Sequence, residues 1–252
     1  MMTPLAKPFS EVVAGSLIAG KVQHDIESHG TTVLALKFDS GVVIFADRRA
    51  TIGNLIMFEQ AEKVMSLDDL TVVAISGSFA RSIEICRYLK HSFKYYRRAT
   101  LQELTLEGKL SEISRALAGN VEMAMNGIGV FIPIVAAYDK VSDKFGVYFF
   151  DGAGARFENG EYACAGSGSE RIRGVFEFLR RTEGSFETRS LDHVVENGLQ
   201  MLDIASTLDS ATGGFTRINP IVRVLTKDGN RALDEKDLKK AVDKVLKAAK
   251  SL

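Results

Sequence analysis

Apolar and polar positions divide this chain into blocks of strand and blocks of helix. After Gly30, the run Thr32-Val33-Leu34-Ala35-Leu36-Lys37-Phe38 is almost continuously apolar and rich in β-formers. Asp39-Ser40-Gly41 supplies a turn, and Val42-Val43-Ile44-Phe45-Ala46 repeats the strand pattern. A third run, Thr71-Val72-Val73-Ala74-Ile75-Ser76, stops at Gly77. So little polar alternation predicts strands covered on both faces.

A helical period then takes over. Ala80, Ile83, Cys86, Leu89, Phe93 and Tyr96 recur every three or four residues, as do Leu110, Ile113, Leu117, Val121 and Met125. Strands are predicted again over 129–138, 145–150 and 162–165, and helices over 170–181 and 191–208. A strand over 221–226 and a lysine-rich helix over 234–250 close the chain. Strand blocks alternating with helix pairs do not suit the single-helix crossovers of a doubly wound sheet. They predict an α+β fold of two mostly antiparallel sheets face to face, with helix pairs on the outer faces. Residues 1–30 follow neither period and read as a removable leader, which leaves 31–252 as one domain.

Composition narrows the function. A chain of 252 residues can bury a core without disulfides or metal. Its 32 basic and 32 acidic side chains balance, so no net field favours nucleic acid or anionic lipid. Cys86 and Cys164 lie in apolar stretches and read as buried reduced thiols. No apolar run approaches the roughly 18 residues of a membrane span. The patch Leu17-Ile18-Ala19 is too short for a secretory signal, so a soluble cytoplasmic protein is expected. His24 and His29 fit neither strand nor helix-face spacing for a metal site; no metal or cofactor is expected.

The candidate chemistry lies at strand ends. Thr31 opens the first strand, Asp47 ends the second, and Lys63 precedes Val64-Met65 at the same interval again. Singly these read as a strand-opening residue, a charged turn and a surface lysine. Cutting between Gly30 and Thr31, however, would leave one residue bearing a hydroxyl and a free α-amine, a known way to activate a threonine nucleophile. Such an amine, with an unperturbed pKa of about 7.7–8.0, can take a proton near neutral pH. A buried Lys63 would favour charge developing on the hydroxyl, and Asp47 would offset the desolvation that discharges a buried lysine. Gly77 could lend its N–H to an oxyanion and let a substrate backbone approach.

Two further segments carry hydroxyls. Gly166-Ser167-Gly168-Ser169 is not a serine-hydrolase elbow, because Ala165 occupies the first glycine position. Nor is it a dinucleotide loop, since Arg171 stands where the last glycine is needed; Gly152-Ala153-Gly154 fails likewise at Phe157. Asp209-Ser210-Ala211-Thr212-Gly213-Gly214 packs a carboxylate, two hydroxyls and two glycines into one turn.

Together, Gly30-Thr31-Thr32, Ala46-Asp47-Arg48-Arg49-Ala50-Thr51, Lys63, Gly77, Gly166–Ser169 and Asp209–Gly214 resemble, in order and spacing, the catalytic β subunits of bacterial 20S proteasomes. The resemblance spans roughly 31–226. It implies the four-layer αββα sandwich of the N-terminal-nucleophile hydrolases and a threonine peptidase whose leader cuts itself off after Gly30. Thr31 would be the nucleophile and, through its amine and a water, the proton acceptor. Asp47 and Lys63 would tune it, Gly77 would donate to the oxyanion, and Ser167, Asp209 and Thr212 would hold the amine. Ala50, Thr51, Ala61, Met65, Ile75 and Phe79 would contact substrate, with an apolar pocket favouring cleavage after hydrophobic residues. Thr212 stands where relatives often carry serine, and Phe79 where many carry alanine.

The implied partners are a seven-membered ring of its own kind, α-subunit rings, an ATP-driven unfoldase feeding the chamber, and polypeptide substrates. A smaller two-component bacterial protease shares the N-terminal threonine, but its subunits are shorter. A ring subunit that only scaffolds is the rival reading, against which the joint presence of Gly30, Thr31, Asp47 and Lys63 argues. The segment Lys90–Arg98 and the closing lysines raise a nucleic-acid reading. It is set aside because cations belong near helix C-termini and because Phe93 and Tyr96 continue the core-facing stripe.

Overall fold

Strands form where the apolar runs are continuous. In a computed structural model, which describes residues 30–250 except 54 and 128, the chain begins with β1 (Thr32–Phe38) and β2 (Gly41–Ala46). Residues 1–29, His24 and His29 among them, lie outside the described residues. A short hairpin follows, β3 (Ala50–Ile52) and β4 (Leu55–Phe58), then β5 (Val64–Asp68) and β6 (Thr71–Ala74). Helices α1 (Phe79–Thr100), α2 (Leu106–Ala118) and α3 (Val121–Met125) lead to β7 (Ile134–Asp139), β8 (Lys144–Phe150), β9 (Arg156–Asn159) and β10 (Tyr162–Gly166). Then come α4 (Ser169–Glu183), α5 (Leu191–Leu208), β11 (Ile221–Thr226), β12 (Gly229–Ala232) and α6 (Glu235–Lys250).

The strands build two five-stranded antiparallel sheets, in orders β10-β1-β2-β11-β12 and β5-β6-β7-β8-β9. Alternation along each strand sends side chains to two different layers. Between the sheets lie Val33, Ala35, Ile44, Val64, Val72 and Ala136, all small or β-branched. The other face of the first sheet carries Leu34, Leu36 and Phe45, which pack with Phe176 of α4, Leu199 and Leu202 of α5, and Val242 of α6. The second sheet presents Val73, Val135 and Phe150 to Cys86, Leu89 and Phe93 of α1 and Leu110 of α2. Helix, sheet, sheet and helix thus stack as four layers, the α+β αββα sandwich expected. The fully buried aromatic rings sit under the helices, so the sheets approach closely.

Several local expectations are corrected. The second helical stripe does not run on to Met125 as one helix; α2 ends at Ala118 and Val121–Met125 is the separate short helix α3. Asn120 is the reason. It is buried, accepts from Arg81 Nε at 2.7 Å and donates to the Gly129 carbonyl at 2.8 Å, so tertiary contacts hold it out of the helix. The strand expected from 129 starts at Ile134, after Pro133, which has no N–H for a ladder. Ala80 and Tyr96 lie outside the buried stripe of α1, with Tyr96 38% exposed. Both cysteines are buried and free; burial pushes the Cys86 thiol up to about 12 and Cys164 to about 11. No described helix is long and apolar enough to cross a membrane.

Candidate active site

The register of β1 against its neighbours assembles the site at one end of the sandwich. Val33 pairs with Ala46 and Thr32 with Gly166, so the residues just beyond β2 and β10 both arrive beside Thr31. The Thr32 amide donates to Asp47 Oδ1 at 2.9 Å, and the Asp47 amide returns a bond to the Thr32 carbonyl at 3.1 Å. Thr31 itself is 4% exposed. Its hydroxyl donates to the Gly30 carbonyl oxygen at 2.7 Å, across the peptide bond that joins them. The Gly30 amide is held by Thr51 Oγ1 at 2.9 Å.

On one side of Thr31 lies a dry ion pair. Lys63 Nζ is 2.7 Å from Asp47 Oδ1, with side-chain exposures of 2% and 0%. Asp47 is bound four ways: by Lys63, and by the amides of Thr32, Arg49 (2.8 Å) and Gly213 (2.9 Å). The lysine's other donors go to the Arg49 carbonyl and, at 3.4 Å, to the Gly30 carbonyl. All three ammonium hydrogens therefore have acceptors, and one points at the carbonyl beside the Thr31 hydroxyl. Burial pulls the Lys63 pKa below 10.5, against the pull of Asp47, which favours the charged form.

The other side is wetter. The Thr31 amide donates to Ser167 Oγ at 3.4 Å, and Ser167 donates in turn to Asp209 Oδ2 at 2.6 Å. Asp209, at the end of α5, also accepts from Thr212 Oγ1 at 2.6 Å. With that proton committed, Thr212 accepts from Thr32 Oγ1, also at 2.6 Å. Thr212 thus meets Thr32 and Asp209 rather than the Thr31 nitrogen. Partial burial pushes the Asp209 carboxyl up, but bonds from Ser167, Thr212 and the Ala211 amide outweigh it and leave the group below 3.8. Gly168 makes the close approach possible, since a Cβ there would sit 2.1 Å from Thr32 Oγ1.

Gly77 follows β6 with φ of 99°, and a Cβ would lie 2.2 Å from the Val130 carbonyl. Around it Ile132 donates to the Ser76 carbonyl and Ser78 to the Val130 carbonyl, the frame of an antiparallel bridge between Gly77 and Phe131. In that frame the Gly77 N–H points away from 130–132. It faces the same way as the Ile75 amide, which bonds the Lys63 carbonyl at 2.8 Å.

The apolar candidates are spread more widely. Ala61, Lys63 and Met65 alternate with Val64, which enters the layer between the sheets, while Met65 packs in the layer under α1 with Ile75. Ala61 and Ile75 are each 1% exposed, and Met65 and Phe79, the first residue of α1, are half-buried. Ala50 and Thr51 lie on β3, with Thr51 buried. The sequence reading did not single out Thr32, the Arg49 carbonyl or the Gly213 amide. A second threonine beside the first was the available signal for Thr32; the backbone groups left none.

Comparison with known proteins identifies the family. A family model described as Proteasome subunit matches residues 27–221. A protein named Proteasome subunit beta from Streptomyces griseus is 35% identical over 231 residues, covering 90% of this chain and 80% of its own length. Proteins of the same name from Acidothermus cellulolyticus and Jonesia denitrificans are 34% and 31% identical. They cover 87% and 89% of this chain, and 76% and 73% of their own lengths.

Proposed function

This chain belongs to the proteasome subunit family, and on that premise we propose that it is a catalytic β subunit, a threonine endopeptidase made by its own cleavage. One observation carries the reading. At the Gly30–Thr31 peptide the hydroxyl, the carbonyl and the ammonium of Lys63 converge, at 2.7 and 3.4 Å from a single oxygen.

Self-cleavage follows from that convergence. Thr31 Oγ1 adds to the Gly30 carbonyl carbon while Lys63 offsets charge gathering on the oxygen. The C–N bond then breaks, the hydroxyl proton passes to the Thr31 nitrogen, and Gly30 is left as an ester on Oγ1. Water hydrolyses the ester, releasing the 1–30 leader as a carboxylate and Thr31 with a free amine and a free hydroxyl. The new amine stays beside Ser167, with Asp209 behind it to favour its charged form.

Peptide hydrolysis repeats the chemistry on a substrate. The amine, through a water, takes the Thr31 hydroxyl proton as Oγ1 attacks the scissile carbonyl. The Gly77 N–H, turned from the 130–132 segment, is oriented to stabilise the oxyanion. The leaving amine takes the proton, and a second water frees the acyl group. Lys63, held by Asp47, keeps positive charge near Oγ1 throughout. Ala50 and Thr51 line the approach, and Ala61, Met65, Ile75 and Phe79 favour a hydrophobic residue before the cut. By family, the subunit works in a seven-membered ring of copies stacked on α-subunit rings, in the cytoplasm, with an ATP-driven unfoldase delivering polypeptides.

Intact mass and a fluorogenic peptide assay on the assembled particle test the proposal. Loss of residues 1–30 with turnover of a peptide bearing a hydrophobic residue before its reporter is the expected result. Assembled particles with no turnover would instead favour a scaffolding ring subunit.

A further inference from the structure

At the end of the sandwich away from Thr31, a cavity of about 310 Å³ opens between the β5–β6 turn, the C-terminal half of α1 and the segment before α2. Its floor is apolar: Leu67, Leu70 and Phe93 are buried at 3%, 6% and 5% exposure. Its rim is charged, six cations facing four carboxylates. Three of the cations are spent on ion pairs, Lys109 on Asp68, Lys140 on Glu103 and Lys227 on Asp143. The side chains of Lys90, Lys94 and Arg97 form no ion pair or hydrogen bond among the described residues. On the rim's acidic side, Asp68 and Glu103 are paired, and Asp69 and Asp228 have no ion pair among the described residues.

The surface beside the cavity is unusual for a helix end exposed to water. Tyr95 and Leu101 are 75% and 89% exposed, and Leu101 caps α1 with a left-handed φ of 57°, where glycine is the usual residue. Exposed aromatic and apolar groups around a pocket, with unspent cations at its edge, have the anatomy of a protein interface: an anchor site within a charged rim.

We propose that this cavity docks an acidic polypeptide segment of another protein, seating one bulky apolar side chain on the Leu67–Leu70–Phe93 floor and pairing carboxylates with Lys90, Lys94 and Arg97. The volume is near the lower bound of small-ligand sites, about 300 Å³, and suits an anchoring side chain better than a whole cofactor. A balanced net charge and an apolar floor also separate the site from the extended basic stripe of a nucleic-acid binder.

Fluorescence anisotropy on the full chain, in a Thr31→Ala background to keep probes whole, tests the assignment. The probes are a labelled twelve-residue Asp/Glu-rich peptide with one central Phe, its Phe→Ala version, and a random single-stranded DNA of equal charge. The Phe peptide is expected to bind, with about tenfold weaker binding for the Ala version and for the exposed double variant Lys94→Glu, Arg97→Glu. Lys236→Glu with Lys240→Glu, the same charge change on α6, is expected to leave binding intact, and the rim variant to leave self-association intact. The proposal is overturned by no peptide binding, by equal loss in the α6 control, by indifference to the Phe, or by DNA binding as tightly. Self-association that depends on Lys94 and Arg97 would likewise overturn it, by making a second copy the occupant.

Discussion

The two flanks of Thr31 hold the same residue by opposite physics. On one flank Lys63 and Asp47 are nearly sealed from water and every polar atom of the pair is bonded. On the other, Ser167 is exposed, Asp209 is half-buried, and hydroxyls relay the contact. A charge out of water acts strongly on its neighbours but tolerates no missing partner. A hydroxyl relay open to solvent is weaker and forgiving, because water can replace a lost donor. Under the proposed function, the first arrangement would supply a fixed field at the Thr31 hydroxyl, and the second would serve an amine that gains and loses a proton.

The largest effect expected from breaking this contrast is at Lys63. Lys63→Ala is predicted to cut leader removal and peptide turnover by at least about 10²–10³-fold. It is also predicted to destabilise the fold by about 3–5 kcal/mol, by leaving Asp47 buried and unpaired. Time-resolved intact mass and urea unfolding read the two effects. Asp47→Asn comes next. The amide cannot accept from Lys63 and three backbone donors as a carboxylate does, so roughly 10²-fold in rate and about 1–3 kcal/mol in stability are expected to go. Ser167→Ala and Asp209→Asn should each cost only about tenfold in kcat, or about 1.4 kcal/mol of barrier, with stability within about 1 kcal/mol of the parent. Equal losses on both flanks would erase the distinction.

The smallest effects are in pH. Because Lys63 titrates below 10.5 in the fold, the unfolded chain keeps that proton longer. Its contribution to stability therefore rises as pH climbs through the folded value toward 10.5. Turnover should fall in the same window, as the ammonium is lost. Asp209 behaves oppositely at the acid end. Its lowered pKa adds stability that is full above 3.8 and lost as pH falls through the folded value, and Asp209→Asn should flatten that part of the profile. Chemical denaturation at stepped pH, beside a rate profile, checks both signs.

Legibility in the sequence followed burial. Strands β1, β2, β6 and β11 were plain because both of their faces are covered and their residues are nearly all apolar. The β3–β4 hairpin was missed because Leu55–Phe58 is apolar yet wholly exposed, and β9 and β12 because sheet edges tolerate sequences such as Arg156-Phe157-Glu158-Asn159. β5 was hidden by Ser66 and Asp68 within it. At the site, Thr31, Asp47 and Lys63 stood out by spacing, because each sits at a strand terminus on the same end of the sandwich. Thr32 and the backbone groups of Arg49 and Gly213 could be recognised only once the register had brought β10 and the 209–214 turn against β1.

The most direct measurement is on assembled particles of residues 31–252 carrying Thr31→Ala, prepared so that the chain begins at that position. With fold and ring intact, a fluorogenic peptide should be turned over at background rate, whereas particles that begin with Thr31 are expected to digest it. Equal rates from the two would mean that hydrolysis does not pass through the hydroxyl of the first residue, and would contradict the account.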